Sequence, residues 1–593
     1  MCGICGIVGF NDTEQARSAV QKMNAILRHR GPDDEGVWLC ESPALAFGHR
    51  RLAIIDLSQK AAQPFTSHDG RFTITYNGEV YNYRELREKC SKRGSIFSSQ
   101  SDTEVIIECY RHWGCDAFKE FKGMWAFVLF DNSKNSLIFC RDPFGIKPLY
   151  YGTKNDVLFF ASEPKALRAI DEHFSQIDEA TATLFQDFGY IERGPWTFYE
   201  HVKKFPSAHY ANLDLDDDFS GMHPIAYWHP PGETARIDRN DAVRELERLL
   251  IQSIRLHLRS DVLVGSCLSG GIDSSAIVSI GSKLKEDNGT FNTFTTCYPD
   301  HKDIDETSWA QKVIDFTGAA AHFARPTLES FISDFDNLMY FQDEPFGSTS
   351  IYAQYSVFKE ISSTNIKVVL DGQGADEIFA GYHGLLNPYI NFQLKKGNVM
   401  AFLKESLSIA ELYRKPLSSQ YYETVQFYKN RLRSAYRSLR SLAGKIPPHT
   451  SDEVAHRLKK LNPLQPNFEE YLVDMVMQSN LPDLLRYEDR NSMAFSIESR
   501  VPFLEPELVH FALSLPAEYK IHHGVTKHVL RESLKGHIPE EIRTRVDKLG
   551  FPAPEKTWLT KAFDIEVDQA GSLPWRRLVM EKWRKTVETS NLS

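Results

Sequence analysis

The chain has 593 residues, 42% hydrophobic and 25% charged, a globular composition that excludes a disordered, collagenous or disulfide-scaffold protein. Its 69 basic and 79 acidic residues leave a net charge of −10, which excludes a global basic field for gripping nucleic acid. No stretch approaches the roughly 18 apolar residues of a membrane span, the start Met1-Cys2-Gly3-Ile4-Cys5 lacks a basic signal region, and nine cysteines crowded toward the first quarter suit reduced thiols, so a cytoplasmic protein without membrane or nucleic-acid partners is expected.

From the N-terminus, short apolar or alternating runs at 44–56, 72–77, 125–131, 136–141 and 157–161 read as strands, and helical patterns at 15–29 and 102–114 interrupt them. That mixture predicts an α+β sandwich of antiparallel sheets between helices over 1–210. Between about 204 and 238, Asp214, Asp216, Asp217, Asp218, Pro224, Pro230, Pro231 and Gly232 cluster without periodicity, and 211–238 is read as a linker. Over 239–593 a helix at 241–258, a strand at 262–264, a Ser/Gly turn and a helix at 276–285 give the strand, phosphate-type turn, helix order of a parallel α/β nucleotide domain. Strands at 292–296 and 366–370 follow, and then a helical tract from 398 to the C-terminus.

Cys2 becomes the first residue once Met1 is removed, and its own α-amine, with a pKa near 7.7 to 8.0, then lies within reach of its thiol as a base. Cys2 and Cys5 also have the spacing of a zinc or redox pair, although no second Cys-x-x-Cys lies nearby, and both suit inert buried thiols. Asn77-Gly78-Glu79 after a strand forms either a plain hairpin turn or a turn that offers the Asn77 amide and the Gly78 N–H to an oxyanion. Arg51 and Asp102 match a carboxylate and an ammonium, as an α-amino acid would present, or pair at the surface.

These residues sit in five motifs: Met1 to Ile7, Arg28-His29-Arg30-Gly31-Pro32-Asp33, Tyr76 to Asn82, Ser101-Asp102-Thr103-Glu104 and Arg141-Asp142-Pro143-Phe144-Gly145. Together they resemble the class II glutamine amidotransferase domain, an N-terminal nucleophile hydrolase fold. The resemblance implies that Cys2 attacks the glutamine amide and that Asn77 and Gly78 form the oxyanion hole. It also implies that Arg51, Leu52, Ala53, Ile54, Ile55, Glu79 and Asp102 bind glutamine with them, giving glutamate and ammonia.

Ser269-Gly270-Gly271-Ile272-Asp273-Ser274-Ser275 lies between a strand and a helix, where glycines admit an anion and N–H groups and hydroxyls bind phosphate. It lacks the Gly-Lys-Ser/Thr end of a Walker loop, and its Asp argues for Mg²⁺. Asp371-Gly372-Gln373-Gly374-Ala375-Asp376-Glu377 follows another strand, and two such turns meet in the crevice at parallel-strand ends, or else are ordinary helix caps.

The first loop resembles that of ATP pyrophosphatases. With Tyr487 to Ala494, Glu498 to Leu504 and Thr526-Lys527-His528, the chain resembles the glutamine-hydrolysing asparagine synthetase family over nearly its whole length. That resemblance implies that Leu268, Ser269, Gly270, Gly271, Asp273, Ser274, Ser275, Thr296, Asp371 and Gly372 bind ATP. Asp273 and Asp376 would hold Mg²⁺, and Lys527 would contact the leaving pyrophosphate. Ammonia would pass through an internal tunnel to an aspartyl adenylate, and a homodimer is the implied assembly. One departure stands out: Asp371 replaces the family's serine, and Gln373 replaces the glutamate that assists ammonia addition. A glutamine amide takes no proton near neutral pH. Either Asp371 takes over as catalytic residue, or the acceptor is another carboxylate, such as a sugar uronic acid.

Overall fold

The computed structural model describes residues 2–216, 222–285, 289–414, 416, 451–461, 467–547, 553–565 and 573–590. Met1, Asp217, Asp218 and parts of the tract from 398 onward lie outside them.

Two six-stranded antiparallel sheets form the first half. One runs Lys203–Lys204, Tyr150–Lys154, Val157–Ala161, Gly3–Val8, Leu45–Arg51, Asp34–Cys40, and the other Ile225–Ala226, His209–Asp214, Ser136–Arg141, Gly123–Asp131, Phe72–Val80, Phe65–Thr66. Alternation does the work of joining them: Ile4, Val8, Phe47 and Phe160 from the first sheet meet Ala126, Val128, Phe130 and Phe139 from the second. On the outer faces, Ala16, Val20 and Met23 of the helix Thr13–Ile26 cover Cys5 and Ile7. The helices Tyr83–Ser91 and Asp102–Trp113 cover Ile74 and Tyr76. The result is the expected helix, sheet, sheet, helix sandwich of antiparallel sheets.

The second half is built on a five-stranded parallel sheet, ordered Ala320–Ala324, Asn292–Thr296, Val264–Cys267, Val368–Leu370, Glu498–Arg500. Helices Arg239–His257, Ile272–Leu284, Leu328–Gln342, Ser350–Ser362 and Leu481–Met493 pack around it. Its order reverses direction from the Val264–Cys267 strand, and the two Asp-bearing turns leave the C-terminal ends of that strand and of its neighbour Val368–Leu370.

The structure corrects several expectations. Gly3–Val8, which directly follows Cys2, is a central strand although its two glycines and one cysteine carry little strand propensity. Residues 209–214, read partly as linker, pair with Ser136–Cys140, and Ile225–Ala226 pairs with His209–Tyr210. The acidic composition there reflects an exposed edge of the sheet, with Asp214 and Asp216 outward. The strand expected at 262–264 begins at Val264 and the helix after it at Ile272, because the turn itself winds into the first helical turn. The tract after 398 is helical but broken by the strand Glu498–Arg500, three residues too short to signal against helical surroundings. Among the described residues no helix is long and apolar enough to cross a membrane.

Lys520 is fully buried, its Nζ donating to the Leu513 carbonyl at 3.2 Å, and burial pulls its pKa down to about 7 from an ordinary 10.5. Between those values the unfolded chain binds more protons than the folded one, so the penalty is full below pH 7 and vanishes above about pH 10.5. Lys520→Met is therefore expected to be more stable than the parent at pH 6.5, by on the order of 2 kcal/mol, with the difference closing toward pH 10. Melting curves of both chains across that range measure it; a pH-independent difference would contradict it.

Candidate functional site

The first constellation lies where the ends of the two sandwich sheets meet. Cys2 is buried, its N–H donating to Asn77 Oδ1 at 2.9 Å, and its carbonyl accepts from Arg30 Nε at 3.1 Å. Burial raises the thiol pKa, and the Leu52 N–H and the Arg51 charge pull the other way. Such a thiol needs a base before it is a nucleophile. Asn77 Nδ2 and Glu79 Oε2 are both buried and find no hydrogen-bond partner among the described residues. An unmet amide donor beside a thiol suits an oxygen that becomes negative only during reaction.

Asn77 and Gly78 do not form the expected turn. They lie inside the strand Phe72–Val80, where Asn77 faces Ala126, Gly78 faces Trp125 and pairing continues to Val80 opposite Gly123. Nine paired residues override the turn preference of an Asn-Gly pair. The glycine is still required: its φ is +155°, and a Cβ there would sit 2.1 Å from the Met124 carbonyl oxygen.

Asp102 Oδ2 accepts from the Tyr76 hydroxyl at 2.8 Å and the Val80 N–H at 2.9 Å, while burial pushes its pKa up. The Arg51 guanidinium is bonded to the carbonyls of Ser58, at 2.9 Å, and Asp56, so in this structure it holds the 56–58 loop. Leu52, Ile54 and Ile55 are buried beyond the end of its strand, and the Ala53 N–H donates to Asp33 Oδ2 at 2.8 Å.

The second constellation surrounds a cavity of about 540 Å³ at the ends of the parallel strands, lined by Leu268, Ser269, Asp273, Ser274, Thr296, Asp371, Gly372, Gln373 and Asp376 among others. Gly270, Gly271 and Ser275 shape the loop from behind. Gly270 has φ +73°, and a Cβ there would lie 2.6 Å from Trp309 and Ala310. The Gly271 N–H donates to Ser269 Oγ at 3.3 Å, and Ser275 is fully buried. The two acidic turns abut, since a Cβ on Gly372 would stand 3.1 Å from that of Asp273.

Lys527 Nζ lies 2.7 Å from both oxygens of Asp273 and 2.6 Å from Asp376 Oδ1. Gly381, a residue sequence reasoning passed over, makes this possible: a Cβ there would fall 2.0 Å from Lys527 Cε and 1.9 Å from Asp376 Oδ1. Two carboxylates thus converge on one cation beside a cavity. Among the described residues no third His, Cys, Asp or Glu joins them as a metal-binding group. That donor set fits Mg²⁺, which takes one or two carboxylates and completes its shell with phosphate oxygens and water.

Sequence reasoning also missed a buried charged network on the helix Leu481–Met493. Arg30 grips Asp489 with two bonds of 2.8 Å each, and also Glu163 at 2.6 Å, so one guanidinium joins the Cys2 carbonyl to the second half of the chain. Next to it, Glu488 accepts from Gln354, Ser499 and, at 3.4 Å, Gln373. Burial and the charge of Asp371 push its pKa well above the usual carboxylate range. A signal was present: Glu488-Asp489-Arg490 are consecutive charges on a helix, spaced about 100° apart, so they cannot all face water on an amphipathic element.

A family model described as a glutamine amidotransferase domain matches residues 1–228, and one described as asparagine synthase matches residues 245–574. The chain is 32% identical over 580 residues to asparagine synthetase [glutamine-hydrolyzing] 1 of Bacillus subtilis, covering 94% of this chain and 88% of that protein. It is 31% identical to a putative asparagine synthetase [glutamine-hydrolyzing] of Mycobacterium bovis, with the same coverage. It is also 26% identical to the amidase chry2 of Gibberella zeae, over 94% of this chain and 90% of that one.

Proposed function

The chain belongs to the asparagine synthase family, with a glutamine amidotransferase domain ahead of the synthase domain, and on that footing we propose that it makes asparagine from aspartate, ATP and glutamine, releasing AMP, pyrophosphate and glutamate. The amidotransferase unit reaches to about Ala226 and the synthetase unit begins at 239. The observation that carries the reading is the convergence of Asp273, Asp376 and Lys527 on the cavity that the serine-rich loop lines.

In the first unit the Cys2 thiol, deprotonated by its own α-amine after loss of Met1, adds to the side-chain amide carbon of glutamine. Asn77 Nδ2 and the Gly78 N–H hold the oxyanion, and Arg51, Glu79 and Asp102 hold the amino-acid end. Ammonia leaves, and water cleaves the thioester to glutamate. Ammonia released to bulk water at neutral pH would mostly be protonated and inert, so it travels inside the protein, across the domain interface.

In the second unit Ser269, Ser274 and the N–H groups of their loop cradle the triphosphate, and Lys527 draws charge off the leaving pyrophosphate. Asp273 and Asp376 would hold Mg²⁺, which when bound neutralises phosphate charge. The substrate carboxylate attacks the α-phosphorus, forming an acyl adenylate. Ammonia then displaces AMP, and Asp371 takes the proton, a role that Gln373 cannot perform.

A second reading, amidation of another carboxylate such as a sugar uronic acid, is favoured by Gln373 beside Asp371 and by the similarity to an amidase-named relative. AMP, pyrophosphate and asparagine are to be followed with Mg-ATP and glutamine, with and without aspartate. Pyrophosphate matched by asparagine, and only with aspartate, is the expected result. Glutamate release without aspartate-dependent pyrophosphate would transfer the assignment to another acceptor.

A further inference from the structure

Gln373 borders the cavity, and its amide nitrogen lies 3.4 Å from Glu488 Oε2, a side chain that is itself nearly inaccessible. The direction of the hydrogen bonds around Glu488 is fixed from a distant backbone group. Asn491 Nδ2 donates to the Ile351 carbonyl at 3.0 Å, which settles the orientation of the Asn491 amide. The same nitrogen donates to Gln354 Oε1 at 2.8 Å, so Gln354 must turn its NH₂ to Glu488. Behind Asn491, Gln342 Nε2 donates to Asn491 Oδ1 at 2.8 Å, completing three amides in head-to-tail order that end on Glu488 Oε2.

An oxygen that accepts from Gln354 also accepts from Gln373, and the Ser499 hydroxyl occupies the other oxygen, Oε1. With the proton of a neutral Glu488 carried on Oε1, where the Ser499 hydroxyl can accept it, a reversed Gln373 would set its carbonyl against Oε2, an oxygen that only accepts. Its carbonyl is therefore directed away from Glu488, toward the cavity.

We propose that Glu488 is the positioning residue of the amide-forming step: it fixes the Gln373 amide so that its carbonyl oxygen accepts an N–H of the incoming ammonia and aims the nitrogen lone pair at the acyl carbon. This rests on the reading of the second unit as an adenylate-forming amidase. In the step, the lone pair forms the C–N bond, the bond from the acyl carbon to the AMP oxygen breaks, AMP leaves as its phosphate anion, and the nitrogen loses one proton to Asp371. Glu488 itself touches no reactant.

The test is a double-mutant cycle on the full chain with Glu488→Leu, Gln373→Leu and both together, each assayed in two ways. Acceptor-dependent exchange of labelled pyrophosphate into ATP reads adenylation, and ammonium-supported amide formation reads the second step. Each single variant is expected to lose about 100-fold in amide formation, mainly as a higher KM for ammonia. The double variant loses no more than about 3-fold beyond that, and exchange stays within about 3-fold of the parent in all of them. Glu488→Gln, whose carbonyl still accepts from Gln373 while its NH₂ meets Ser499, restores most of the activity.

Exchange falling in step with amide formation in both Glu488 variants would mark a merely structural role and overturn the proposal, as would losses that multiply in the double variant. If the parent exchanges no pyrophosphate with aspartate, the aspartate reading fails alone. The same cycle run with galacturonate then decides the role of Glu488 by the same criteria.

Discussion

Replacing Cys2 by alanine is expected to lower glutamine-dependent amide formation at least about 10³-fold while ammonium-supported formation stays within a factor of two or so of the parent. The thiol is the sole nucleophile of the first constellation in the proposed mechanism, and neither Asn77 nor Gly78 offers an electron pair able to replace it. Alanine keeps the backbone contacts of the site, since the bonds to Asn77 and Arg30 come from the N–H and carbonyl of residue 2. The missing sulfur leaves a small space at a buried position, and a loss of about 1 kcal/mol or less follows. Glutamate release and product formation with either nitrogen source give the answer in one series. Persistent glutaminase activity in the variant would remove Cys2 from its role.

The second large effect is expected at Lys527, and it should be the mirror image. With Lys527→Met, pyrophosphate exchange and all amide formation should fall by about 10³-fold, whereas basal glutamine hydrolysis should be nearly unchanged. The ammonium now stands between Asp273 and Asp376 at 2.6 to 2.7 Å. Without it two carboxylates face one another in a partly enclosed space, and the leaving pyrophosphate loses its fixed positive partner. Methionine keeps the length that threads past Gly381. The variant should also melt at a lower temperature than the parent without Mg²⁺ and recover part of the difference when Mg²⁺ is supplied. Full adenylation activity in the variant would contradict the assignment.

The two sites were legible in the sequence to different degrees. Ser136–Arg141, Val157–Ala161 and Asn292–Thr296 form strands with the bounds their alternating or β-branched residues predict. Gly3–Val8 was invisible to the same logic, since Gly-Ile-Cys-Gly-Ile-Val gains its strand state from pairing on both sides with Leu45–Arg50 and Leu158–Ala161. Asn77 and Gly78 were misread in shape, because a turn dipeptide in a nine-residue ladder follows its partner strand. Asp273, Asp376 and Lys527 come from three distant segments, and only the fold shows that they meet. Gly381 and the glutamine pair around Glu488 had no sequence signal of their own: an exposed and a buried glycine look alike in one dimension, and an amide's partner is set by packing.

Arg30 ties the two halves of the chain together. Its guanidinium is fully buried, bonded at once to the carbonyl of residue 2 and to an aspartate 459 positions later. Separating the halves would take Asp489 from that cation and leave it Glu163 alone, with two of its N–H groups unmet at a newly opened face. Fission into separate subunits is thereby discouraged, and a chimera that borrows one half from a cousin must inherit an acid opposite Arg30. The seam between the halves is in this sense heritable as a matched pair, which ties the drift of one half to that of the other.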